Sequence, residues 1–164
     1  PRAGCTAAAK SQLTLRDLAD DARDRAIWRW SGSGLGAAAV GDPTAQTDLA
    51  VCVYDQGGKL VGGGLRPGEG QAPTAGWKRA GAVLDYSDVL AASHGLGKLR
   101  VRPDAGAKGV VQVRGRGAAL GAMSLPAALP VTAQLVNLDS GACWDATFAT
   151  ASKNDATRFT ARTP

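Results

Sequence analysis

The chain is punctuated by short runs in which apolar and polar side chains alternate. Each run is closed by a cluster of turn formers, and that pattern favours β-structure. Residues 49–54 show it most clearly: Leu49, Val51 and Val53 point to one side of an extended strand, and Ala50, Cys52 and Tyr54 to the other. Asp55-Gln56-Gly57-Gly58 follows as a turn, and residues 59–63 return as the hairpin partner. The same reading places strands at 12–15, 27–30, 83–86, 99–102, 110–114, 131–137, 143–149 and 158–161, with a short piece at 77–79. Residues 103–109 and Asp139-Ser140-Gly141 read as hairpin connections, and residues 31–47 and 63–76 as long Gly-rich loops. About nine or ten strands at this spacing predict an all-β fold, an antiparallel β-sandwich with Greek-key connections. The helical candidates, residues 18–25 and 87–93, are short.

Composition agrees. The chain has 164 residues, the length of one domain, and no linker divides it, so a single sandwich domain is expected over 1–164. Residues 1–10 are expected to form a loosely ordered leader. Gly at 22 and Pro at 8 suit many turns. With two Phe and two Tyr, the core must rest on Val, Leu and the four Trp. Glu69 is the single Glu, and Asp, which favours turns and caps over helix, supplies the other acids.

The formal net charge is +5, which admits an acidic partner. Along the sequence, however, the cations are scattered in pairs such as Arg23 and Arg25, Arg100 and Arg102, and Arg114 and Arg116. That scatter reads as a solvated basic surface rather than a nucleic-acid site. No apolar run is long enough to span a membrane. The opening at Pro1, without Met or a signal-peptide pattern, reads as a processed or trimmed start.

Cys5, Cys52 and Cys143 are too far apart for a CxxC motif. Cys52 and Cys143 each fall inside an expected strand, so a Cys52–Cys143 disulfide is the first expectation. The alternatives are two buried thiols, or Cys5 displacing either partner. Asp17, Asp20, Asp21 and Asp24 are dense enough to suggest Ca²⁺, but Arg16, Arg23 and Arg25 lie among them and the spacing matches no EF-hand. Internal ion pairing is the expected state, and no metal or other cofactor is predicted. His94 is the single His. A triad drawing on Ser87 or Ser93 with Asp85 or Asp88 is formally available, but no GxSxG elbow accompanies it.

Trp stacks on sugar rings and also fills sandwich cores. Trp144 alternates in phase with Ala146 and Phe148 and reads as core, while Trp28 and Trp30 share one face and read as half-buried. Trp77, in Ala75-Gly76-Trp77-Lys78-Arg79, has the most polar surroundings. Trp77, Tyr86 and Lys78 are therefore the candidate ligand-binding residues, and no catalytic residue is assigned.

Several blocks together resemble an uncharacterised β-rich domain found in secreted proteins of environmental bacteria. They are Leu13-Thr14-Leu15-Arg16-Asp17, Gly41-Asp42-Pro43-Thr44, Ala50-Val51-Cys52-Val53-Tyr54-Asp55, Gly76-Trp77-Lys78 with Asp85-Tyr86-Ser87-Asp88, residues 129–137, and Cys143-Trp144-Asp145-Ala146-Thr147-Phe148. The resemblance covers nearly the whole chain, implies a fold more than an activity, and carries over no catalytic residue. It also implies a second Cys pair near Trp77 that this chain lacks, which leaves Cys5 unassigned. The expected role is a non-catalytic accessory or adhesion module, secreted or at the cell surface, that binds a glycan or other extracellular polymer. A self-associating subunit of a surface layer or filament is the alternative, and a polysaccharide-active enzyme the third.

Overall fold

The computed structural model describes residues 1–65, 75–105 and 108–163. Most of the loop expected over 63–76 lies outside them. The described elements are β1 (Thr6–Ala7), β2 (Lys10–Arg16), β3 (Arg25–Gly32), α1 (Ala37–Val40), β4 (Leu49–Asp55), β5 (Gly58–Leu65), β6 (Ala75–Ala80), β7 (Val83–Asp88), β8 (Leu96–Arg102), β9 (Gly109–Arg116), β10 (Val131–Asn137), β11 (Cys143–Phe148), β12 (Lys153–Asp155) and β13 (Arg158–Arg162). Two sheets result. The smaller is ordered β1-β11-β10-β4-β5 and the larger β12-β13-β2-β3-β9-β8-β7-β6. All pairings are antiparallel except β1 with β11. This is the expected all-β sandwich, with thirteen described strands; β1 and β12 are too short for alternation to reveal.

The helical expectations give way to turns. Residues 18–25 hold one 3₁₀ turn, Asp21–Arg23, before β3 begins. Residues 87–93 comprise the end of β7 and a turn organised by Asp88, whose carboxylate accepts backbone N–H bonds from Leu90, Ala92 and Ser93. Asp and Ser satisfy nearby backbone groups in this way and so compete with helix. No helix among the described residues is long and apolar enough to cross a membrane.

The core lies between the sheets. Trp28 and Trp30 do share a face, but both are 1% exposed, fully rather than half buried. Their strand is fourth from the nearer edge of the eight-stranded sheet, well inside it, where the facing sheet covers both indoles. The indole nitrogens of the three fully buried Trp are satisfied: Trp28 Nε1 donates to Ser11 Oγ at 2.9 Å, Trp30 Nε1 to the Asp145 carbonyl at 2.9 Å and Trp144 Nε1 to the Gly34 carbonyl at 2.8 Å. The Trp30 bond joins the two sheets, because Asp145 belongs to β11.

The disulfide is Cys5–Cys143, and Cys52 is free, which corrects the expected Cys52–Cys143 pairing. The reason is strand order. Cys52 on β4 lies opposite Gln134 on β10, and Cys143 lies on β11, beyond β10. Two inter-strand spacings, about 9–10 Å, exceed the reach of a disulfide. Thr6 and Ala7, by contrast, pair alongside Trp144 and Asp145, which sets Cys5 beside Cys143. The first ten residues, expected as a loose leader, are tied down further. Gln134, 1% exposed on the outer side of the small sheet, accepts from the Arg2 backbone N–H at 2.9 Å. Its amide also donates to the Arg2 carbonyl at 2.7 Å. The opening segment therefore straps across the outside of the smaller sheet.

Candidate functional site

With one sheet strapped, the open surface is the outer face of the larger sheet. Alternation assigns its residues strand by strand. In β2, Ser11, Leu13 and Leu15 are buried and Lys10 and Arg16 point outward; in β3, Arg25 and Arg29 alternate with buried Ala26, Trp28 and Trp30. The register then carries the outward set across the sheet, adding Arg114 and Arg116 from β9 and Lys98, Arg100 and Arg102 from β8. Arg158 and Arg162 follow from β13, Lys153 from β12 and Lys78 from β6. Thirteen of the chain's nineteen Lys and Arg thus lie on one sheet face. Cations that look scattered along the sequence are gathered by strand pairing, which corrects the premise on which the sequence reading set nucleic acid aside.

Acids do not balance them. Among the described residues of this face the carboxylates are Asp85 and Asp155. Asp85 accepts from Arg100 Nε at 2.7 Å and from a second guanidinium nitrogen at 2.8 Å; that guanidinium holds its carboxyl below the usual 3.8. Asp155 pairs with Lys153 at 2.7 Å and accepts the turn amides of Thr157 and Arg158, and its carboxyl is likewise pulled down. Other Asp side chains bind loop backbone: Asp42 caps Thr44, Asp55 the Gly57 and Gly58 amides, and Asp24 the Leu18 amide. The Asp-for-Glu skew thus removes negative charge from strand faces to turns, where a short carboxylate reaches main-chain N–H groups.

One row stands out. Arg158 lies opposite Arg16, Arg16 opposite Arg25, and Arg25 opposite Arg116, so four arginines cross β13, β2, β3 and β9 in register. Like charges directly opposite are destabilising. Two of these heads are held by carbonyls: Arg25 donates to the Asp24 carbonyl at 2.6 Å and Arg116 to that of Val89.

The face is gently hollowed. A depression of about 450 Å³ is lined by Arg25, Ile27, Arg29, Lys98, Arg114 and Arg116, among others. Its floor crosses the irregularity where β8 slips register beside Gly97. A second, of about 550 Å³, adjoins it through Arg29, and a third, of about 420 Å³, contains Arg100 and Arg102.

The sequence-predicted ligand trio divides. Lys78 is exposed on the basic face, opposite Asp85. Trp77 and Tyr86 are paired on the inner side of β6 and β7, with ring centroids 5.5 Å apart; Tyr86 is 0% exposed and Trp77 is half-buried against the core. Alternation of β7 alone, with buried Leu84 and Asp88 flanking it, would have placed Tyr86 inward. His94 is exposed with a left-handed backbone (φ 52°) and lies over Gly63, where any Cβ would strike its ring. The oxygens of Asp85 and Asp88 are occupied by Arg100 and by backbone amides, so neither acid orients it. In the stretch over 17–24, Asp24 and Asp20 accept backbone amides, and burial, with Asp24 and Asp21 nearby, raises the Asp17 carboxyl above its usual value. No group of three or more His, Cys, Asp or Glu able to hold a metal occurs among the described residues. Comparison with known proteins finds no matching family model, curated protein or solved structure.

Proposed function

We propose that the protein is a non-catalytic accessory or adhesion module that works outside the cytoplasm and binds an acidic polysaccharide on the outer face of its larger sheet. The observation that carries this reading is the concentration, among the described residues, of thirteen cations against two already paired carboxylates on one sheet face. Such a face attracts polyanions over several ångströms and holds them through charge-assisted hydrogen bonds. The Cys5–Cys143 disulfide suits an oxidising compartment, as does the resemblance to a domain of secreted bacterial proteins. A self-associating subunit is the weaker reading, because this face repels a second copy of itself.

Affinity electrophoresis against neutral and acidic polysaccharides tests it. Retardation is expected in gels containing polygalacturonate or another acidic chain, and none in neutral glucan, with the effect fading as salt is raised. Equal migration in every gel would remove the reading.

A further inference from the structure

We infer that the arginine row Arg158–Arg16–Arg25–Arg116 is a track for a linear polyuronate, a chain with one carboxylate per sugar, lying across the strands and ending in the hollow beside Ile27. This rests on the acidic-polysaccharide reading and names the chain and its path. Off the row, Arg29 lies between Gln12 and Gln112, and Arg100 between Gln112 and Asp85. Lys98 and Arg114 face one another, but each has a neutral residue, Ser87 or Ile27, on its far side. In the row, Arg16 has an arginine on both sides, and so does Arg25. The acid opposite Arg158, Asp155, is engaged by Lys153 and by turn amides, and Asp24, next to Arg25 in the chain, gives its carboxylate to the Leu18 amide. At the other end Asp88 turns its carboxylate to the Leu90, Ala92 and Ser93 amides and leaves the hollow cationic. A repulsion left uncompensated by its own surroundings is the kind of local violation that marks a functional surface.

Geometry selects the chain. Neighbouring strands are about 4.8 Å apart, so the row offers one guanidinium per strand at that interval. That step is comparable to the rise of one hexose in an extended polysaccharide. The planar guanidinium fork matches a carboxylate in bidentate fashion. With Arg25 and Arg116 anchored to carbonyls, part of the ordering needed for binding is already present in the free protein. Ile27, next to the row on β3, offers an apolar surface to the C–H face of a pyranose. Among the described residues no aromatic side chain points outward from this sheet, so the stacking that single-stranded nucleic acids use has no platform.

The test compares three proteins: wild type, the row variant Arg16→Gln/Arg25→Gln, and the equal-charge control Lys10→Gln/Arg102→Gln, which changes the same face off the row. Their affinities for polygalacturonate, dextran sulfate and duplex DNA are measured by titration at matched ionic strength, with thermal melts confirming that each is folded. The row variant is expected to bind polygalacturonate at least about tenfold more weakly than wild type, and the control within about threefold. Equal losses in both variants would overturn the track and leave a diffuse basic face. Tighter binding of dextran sulfate or DNA per charge, with loss in the row variant, would keep the track but overturn its carboxylate ligand. Failure of wild type to bind any of the three would overturn the acidic-polysaccharide reading itself.

Discussion

Arg16 of β2 and Arg25 of β3 stand directly opposite one another, with Arg158 on the far side of Arg16. Removing the central charge should therefore relieve repulsion on two sides. Arg16→Glu is expected to raise stability by about 1 kcal/mol in urea titrations at low ionic strength. The gain should shrink strongly in ~1 M salt, where the Debye length falls to about 3 Å. The same variant should bind acidic polysaccharide less well, so stability and affinity move in opposite directions. A destabilised Arg16→Glu would show that the row is not under electrostatic strain.

The disulfide closes a loop with a sequence separation of 138, for which the chain-entropy model gives a stabilisation of about 5 kcal/mol. Cys5→Ser and Cys143→Ser should each lower the denaturation midpoint markedly and to a similar extent. Cys52→Ser should leave it nearly unchanged. Thiol titration of the unreduced, denatured protein should find one reactive sulfhydryl per chain; three would mean the bond is absent.

Trp77 packs on Tyr86 beneath the sheet edge. Trp77→Ala should cost about 1–3 kcal/mol, less than deletion of a fully buried Trp. Retardation by acidic polysaccharide should remain, because the basic face lies on the opposite side of β6 and β7. Loss of retardation in a folded Trp77→Ala protein would return the binding site to this tryptophan.

The Asp85–Arg100 pair gives a pH signature. The Arg100 guanidinium lowers the native Asp85 carboxyl below its unfolded value of 3.8. Unfolding therefore takes up a proton below about pH 4, and stability falls as pH drops through the native value. Above that range Asp85 is ionised in both states and the pair contributes fully. Arg100 is 44% exposed, so solvent screening keeps the contribution small. Asp85→Asn should flatten this part of the acid limb; an unchanged limb would assign it to other carboxyls.

The sequence by itself determined the local elements. Period-2 alternation placed β10 over Val131–Asn137 with the observed bounds, put Trp28 and Trp30 on one face and set Trp144 in phase with Ala146 and Phe148. It also assigned Asp to turns, where carboxylates now cap backbone amides. Those properties depend on neighbours a few residues away. What lies across a sheet does not. The intervention of β10 between Cys52 and Cys143 redirected the disulfide to Cys5. The pairing of β13 with β2, and of β3 with β9, brought Arg158 and Arg116 into line with Arg16 and Arg25. Alternation says which side of its own strand a charge occupies, but only long-range pairing decides which strands share a sheet, and it is that pairing that turned scattered cations into one basic face.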